Sequence, residues 1–433
     1  MDSIYSNASF TIVAADSEHA DHGIHGVSLE RQQPLTCTDT QPNVSLGIRS
    51  VLSLLQDTKW GGRAWTFQEA LCSRKMLVFT KYMCSLVCPR AVQREDKWEE
   101  APNVSAPNHP LSPDFALIKV QPVYGWNRGQ YTDFVSIYTA RSLTNAGDII
   151  NAFTGAMNRA KQWWGDFWYG LPRNAFLYAL SWTNHPVNHG VFVTLDDPLL
   201  RNRHPVARRE GFPSWSWAGW IHPVGCDIIF TATTTRKTVP MYGTTNSKQM
   251  ILVNDPTLPL GSNTLKVGDR DLLHFPNNDE WILHAGRTLK GMGIPLEPIL
   301  LFRTTVFRVI VSRETRIPET GGWGIYQIDP FEDTQLCHPL VAKTQLAFAH
   351  LRAEWRASQP DELDFALLGV ANVSSASLQQ PFKLTTIILA TEGEVSYRAG
   401  MVELYLETFE GEDAEEILAN FASHSSIETI ALG

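Results

Sequence analysis

The sequence predicts an α+β protein in which an incomplete α/β unit precedes a helical segment and a β-rich C-terminal region. Three observations carry this. Ala8 to Ala15 (ASFTIVAA) is a nearly continuous apolar run rich in strand formers, as in a strand covered on both faces of a sheet. Between Ala146 and Trp164, apolar residues recur at steps of four and three, the stripe of an amphipathic helix. Beyond residue 220, short apolar runs are separated by glycine, proline and asparagine turns, as in an antiparallel sandwich or barrel.

At 433 residues, 43% hydrophobic and 19% charged, the chain is globular and long enough for two or three domains. Its formal charge of −9 and pI near 5.8 weigh against a nucleic-acid or anionic-membrane footprint, which needs clustered positive charge. The densest basic stretch, Arg201 to Arg209, reads as a solvated loop. Six cysteines are too few for a disulfide framework in a chain of this size. No apolar h-region follows Met1 and no run of about 18 apolar residues occurs, so neither secretion nor a membrane span is expected. A cytoplasmic location is the default expectation, and the Asn-x-Ser sequons at Asn7, Asn43, Asn103 and Asn372 then read as chance matches.

Along the chain, residues 1–8 read as the end of a helix, followed by the apolar strand. Asp16 to Gly26 (DSEHADHGIHG) is a polar loop in which His19, His22 and His25 recur every three residues. Gly23 and Gly26 argue against a helix there, so a solvated loop is expected and no metal site. In Trp60 to Phe79, two glycines loosen the backbone between Trp60 and Trp65. Thr66 to Glu69 has the spacing of a capping box, predicting a helix from Phe67 to about Ser73. Met76 to Phe79 is of strand length, and Met83 to Cys88 should pair back on it through Lys81 and Tyr82. On a strand, Cys84 and Cys88 lie roughly 13 Å apart, too far to share one ion, and read as buried inert thiols. A linker follows, with domain boundaries expected at 1–95, 96–130, 131–220 and 221–433.

In the second region Ala146, Ile150, Phe153, Met157, Ala160 and Trp164 form the helical stripe, with Asn145 placed as cap and Asp148 in the first turn. A further helix is expected over Asn174 to Trp182. In Gly211 to Trp220 (GFPSWSWAGW) an extended backbone would put Trp215 and Trp217 on one face, where indoles roofing a core are favoured over a binding platform. Strands are predicted over Ile228–Ala232, Met250–Val253, Ile299–Val311, Thr344–Ala349, Phe365–Val370, Leu384–Leu389 and Val402–Tyr405, and the acidic run Glu410 to Glu416 enters a last short helix.

Trp60-x-x-Arg63-Ala64-Trp65-Thr66-Phe67-Gln68-Glu69, followed by Ser73 to Phe79 (SRKMLVF), resembles the last block of the fungal heterokaryon-incompatibility (HET) domain. Met1 to Ala8 (MDSIYSNA) resembles that family's central block, and the Asp16 to Gly26 loop its Asp-x-x-x-Gly loop. Tyr138 to Met157, GFPSWSWAGW, Leu367-Leu368-Gly369 and Tyr397 to Gly400 resemble segments that follow the domain in the family. The family's first block, of Tyr-x-Trp-Gly type, is absent, so the chain resembles an N-terminally truncated HET domain. The resemblance implies an incomplete α/β fold similar to TIR domains. It also implies a role in non-self recognition and fungal programmed cell death, a form of innate immunity, with protein partners.

No Gly-x-Ser-x-Gly elbow, P-loop, Gly-x-Gly-x-x-Gly after a strand, His-Glu-x-x-His or paired Cys-x-x-Cys is present, so no familiar hydrolase, kinase or dehydrogenase template applies. No cofactor is expected. The resemblance to NAD-cleaving TIR domains makes Glu69 the candidate catalytic residue of an alternative, enzymatic reading, with Arg63 and Trp65 as candidate binding residues. A further alternative is an inactive truncated paralogue that only binds partners.

Overall fold

In a computed structural model, the described residues are 1–32, 51–56, 58–88, 91–95, 98–99, 128–183, 207–226, 236–244, 250–253, 264–267, 270–274, 280–295, 298–318, 323–328, 347–372, 382–406 and 425–433. The chain divides into two compact units, Met1–Gly165 and Asp166–Gly433. Helices and sheets both contribute, giving the expected α+β mixture. The unit boundary falls inside the stretch 131–220. Of the expected linker 96–130, only Trp98–Glu99 and residues 128–130 lie among the described residues.

The N-terminal unit begins with a short helix α1 (Asp2–Asn7) and a strand β1 (Thr11–Ala14). Helices α2 (Val51–Gln56) and α3 (Ala64–Cys72) follow, then strands β2 (Met76–Phe79), β3 (Cys84–Cys88), β4 (Ala91–Arg94) and β5 (Trp98–Glu99). Helices α4 (Arg128–Thr139) and α5 (Thr154–Trp164) complete it. The sheet runs in the order β1-β2-β3-β4-β5. Only β1 and β2 pair in parallel, with Thr11 opposite Met76, and the rest is an antiparallel meander.

The predicted hairpin forms, Phe79 pairing with Cys84 and Met76 with Val87. Thr80 shapes its turn: its hydroxyl donates to the Met83 carbonyl at 3.0 Å and accepts from the Met83 amide at 3.2 Å. Cys84 and Cys88 are half-buried rather than buried, because β3 turns Ser85 and Val87, not the cysteines, into the core.

β1 corrects a second expectation. Only one of its faces is covered, Val13 being 1% exposed and Ile12 57%, and among the described residues it pairs on one side only, with β2. Met1, Ile4, Phe10 and Val27 are also exposed, which accounts for apolar sequence without a core around it.

The core of this unit lies between the sheet and α2 and α3, where Val13, Ala15, Leu54, Leu55, Ala70, Met76, Val78 and Val87 cluster. On its other side α3 presents Phe67, fully buried, to Phe134, Tyr138 and Phe153. Thus α3 is packed on two sides. The predicted helix over 146–164 is in fact two 3₁₀ turns, Ala146–Ile149 and Asn151–Phe153, before α5 begins. Asn145 does cap the first turn, accepting from the Gly147 amide at 3.1 Å. With three residues per turn the tighter helix shifts the buried stripe onto Ile149, Ala152 and Phe153.

In the second unit the predicted helix over 174–182 is shorter, Phe176–Leu180, and Trp182–Thr183 is strand. Ser216 caps a 3₁₀ turn, Trp217–Gly219, so the expected extended backbone is broken there. Trp215 and Trp217 are both fully buried and form no surface platform. The large sheet is antiparallel but for one pairing, and it closes on itself. Leu300–Pro318 pairs with Ser426–Leu432 and with Glu362–Asn372. From Glu362–Asn372 the path runs through Phe382–Glu392 and Val395–Leu406, which meets Ser426–Leu432 at Ser396 and Leu432. The predicted strand Ile228–Ala232 and the acidic run Glu410 to Glu416 lie outside the described residues.

Candidate functional site

The Trp60 to Glu69 block folds as a tight turn leading into α3. Gly61 is required by close approach: a Cβ there would overlap the Leu55 carbonyl oxygen. The capping box does not form. α3 starts at Ala64 with Arg63 as N-cap and no side-chain cap, which leaves Thr66 inside the first turn. The Thr66 hydroxyl points backwards and donates to the carbonyls of Trp60 (2.5 Å) and Arg63 (2.6 Å), and it accepts from Arg141 Nη1 at 3.0 Å. The helix N-terminus is instead satisfied from afar, the Ala64 amide donating to the Ser142 carbonyl at 2.9 Å while the Ser142 amide donates to Gly62.

Glu69 is therefore not occupied in capping. Its carboxylate is half-buried and lies within electrostatic reach of the Tyr5 phenol on α1. Burial first, and then the negative charge of Glu69, push the Tyr5 phenol up to about 12. Arg141 stands on the same side. Burial pulls its guanidinium down to about 10, and the charges of Tyr138 and Glu69 partly restore it. Arg141 also lies over the Phe67 ring, 5.4 Å from its centre. The charge of Glu69 thus acts on a phenol from α1 and on a guanidinium from the segment after α4.

Of the candidate binding residues, Trp65 is half-buried and Arg63 is exposed. Among the described residues no ion pair joins Arg63 to Glu69. Six residues of helix rotate one from the other by about 240°, which puts them on different faces. The partners sequence reasoning missed are Tyr5 and Arg141, which come from segments distant in the chain. Cys72, on α3, is buried, and burial raises its thiol to about 11, so it is a packing group and not a nucleophile. Among the described residues no group of three or more His, Cys, Asp and Glu side chains stands ready to hold a metal ion, and no helix is long and apolar enough to cross a membrane.

Fold and site define an α+β protein whose N-terminal unit holds a half-buried carboxylate, Glu69, whose charge reaches the Tyr5 phenol and the Arg141 guanidinium. Residues 1–69, a stretch that ends on Glu69, match the family described as Heterokaryon incompatibility protein (HET). No curated protein and no solved structure matches the chain.

Proposed function

We propose that the chain is a heterokaryon-incompatibility protein of fungal cells that acts through protein partners in non-self recognition and programmed cell death, in the cytoplasm. The observation that carries this reading is the family match over residues 1–69. The test is induced expression of the full chain in a fungal host. Loss of viability is expected, and hosts that grow normally at confirmed protein levels would count against it.

One observation favours a second, enzymatic reading. Glu69 has no capping duty, and its half-buried charge acts on Tyr5 and Arg141. A fixed carboxylate stabilises positive charge that develops on a ribosyl carbon as a glycosidic bond to nicotinamide breaks, which is the TIR-like cleavage of NAD. Arg63 and Trp65 then serve as phosphate and ring contacts. Glu69→Gln separates the readings, because it keeps the shape and removes the charge. If the variant folds and loses NAD cleavage, the enzyme reading holds; if the wild-type chain releases no nicotinamide, it falls.

A further inference from the structure

The polar loop Asp16 to Gly26, which follows β1, carries a cluster that the proposed function does not use. His19, His22 and His25 bring their rings together: the His19 and His22 ring centres are 5.6 Å apart, and those of His22 and His25 are 6.1 Å apart. The arrangement is built by turns rather than by a helix. The His22 amide donates to the His19 carbonyl at 3.1 Å, and Ser17 Oγ donates to the Gly23 carbonyl at 2.8 Å. The Ile24 amide donates to Ser28 Oγ at 2.9 Å. Gly23 and Gly26 adopt φ of +86° and +81°, and a Cβ on Gly23 would stand 2.6 Å from Ser28 Oγ. At the root of the loop Asp16 Oδ2 accepts from the Lys81 amide at 2.6 Å.

We propose that this loop is a labile binding site for a borderline transition-metal cation such as Zn²⁺ or Ni²⁺, held by two imidazoles at a time around the shared His22, with water completing the shell. The first reason is spacing. An imidazole bound at about 2.0–2.1 Å holds its ring centre roughly 3.2 Å from the ion, so two rings at any angle from square to opposed stand about 4.5–6.4 Å apart. The His19–His22 separation corresponds to an angle of about 120° at the ion, near tetrahedral, and the His22–His25 separation to a wider one of about 145°, which a turn of the His25 ring closes. The second reason is the tautomer of His25. Its Nδ1 lies 2.9 Å from the Glu30 carbonyl oxygen. A carbonyl only accepts, so Nδ1 carries a proton and in the neutral ring Nε2 is the donor to a metal, the arrangement in which a backbone carbonyl orients a metal-binding histidine. The third is exposure: His19 is exposed and His22 and His25 half-buried, so an ion and its waters have access. Nitrogen donors of this kind select Zn²⁺, Ni²⁺ or Cu²⁺ over Mg²⁺ and Ca²⁺.

The test is calorimetric titration of the full chain, cysteines alkylated, with Zn²⁺ and with Ni²⁺ in the presence of excess Mg²⁺. The chain has 13 histidines, so the wild type is compared with His22→Ala and with the triple variant His19→Ala, His22→Ala, His25→Ala. Removal of a group that merely orients a ligand costs about 10–100-fold in affinity, and loss of the shared ligand costs at least that. One equivalent of metal that both variants lose supports the site. No binding, or binding that either variant leaves intact, overturns it. Long-range ¹⁵N–¹H correlation spectra provide a second readout: metal is expected to shift His25 Nε2 while Nδ1 stays protonated, and a His25 protonated on Nε2 instead would overturn the assignment.

Discussion

Tyr5 on α1 stands within electrostatic reach of the Glu69 carboxylate on α3, so the first helix of the chain carries a phenol raised by burial and by a charge on the helix at the centre of the N-terminal unit. An ionised phenol would face a carboxylate across a desolvated contact, so the proton is held more tightly there than in water.

This gives a first prediction, with a definite sign. The Tyr5 pKa is raised from 10.0 to about 12, chiefly by burial. Below 10 the phenol is neutral in folded and unfolded chains alike, and its stabilising contribution is complete. Between 10 and 12 unfolding releases a proton, so stability falls as pH rises through that window. Tyrosine-selective NMR, with the Tyr5 signal assigned by its loss in Tyr5→Phe, should show this phenol titrating late. Glu69→Gln should move it part of the way back toward 10, leaving the share due to burial, and an unmoved resonance would dissociate the pair.

The aromatic side of α3 gives a second. Phe67 is fully buried, stacked on Phe153 at 5.8 Å and edge-on to Phe134 at 6.0 Å. Phe67→Ala should cost about 3–5 kcal/mol, because its rigid neighbours collapse only partly into the space. Denaturant midpoints of the full chain measure it, and a loss under about 1 kcal/mol would mean that α3 is not held between two layers.

The central stretch Trp60 to Phe79 was legible because its signals are local: turn glycines, a short helix and a strand of the right length. What the sequence misplaced depends on partners far along the chain. Thr66 has the spacing of a cap, but Arg141, 75 residues on, engages its hydroxyl, and Ser142 takes over the helix terminus. Nor does local pattern reveal which face of a sheet is covered, so an apolar β1 reads as buried on both faces although the core lies on the Val13 side and Ile12 is exposed. At the candidate site Glu69 was visible within its motif, whereas Tyr5 and Arg141 become its neighbours only through tertiary packing.

A third prediction tests the contact of α3 with α5. Gly155 sits where a Cβ would stand 2.9 Å from Gln68 Oε1 and 3.1 Å from Cys72 Sγ. The Gly155 amide also donates to Gln68 Oε1 at 3.2 Å. Inside a helix, Gly→Ala by itself is favourable by roughly 1 kcal/mol, yet here overpacking of about 1–3 kcal/mol opposes it. Gly155→Ala should therefore be neutral to destabilising. Gly147→Ala, where the nearest atom to the new Cβ is Asn145 Oδ1 at 3.5 Å, should be tolerated, and equal melting temperatures for the two variants would refute the tight contact.

The fourth prediction concerns the second unit, where Gly243 lies flat beneath the Trp168 ring. A Cβ on Gly243 would fall inside that ring, and the ring cannot retreat freely, because it packs 5.3 Å from Trp215 and 6.5 Å from Phe176. The strand under it is fixed as well, Gly243 pairing with Leu300 on one side and Ile251 on the other. Neither partner yields cheaply. Gly243→Ala is expected to destabilise the chain by about 1–3 kcal/mol or more, the range for overpacked interiors. If the clash with the indole is the cause, the cost must depend on the indole. Trp168→Leu removes the far ring atoms, so Gly243→Ala should cost less in that background, and the double mutant should be more stable than the sum of the single changes allows. Thermal or denaturant unfolding of the four proteins closes the cycle. Strict additivity would show that the glycine is needed for its backbone alone and that Trp168 plays no part.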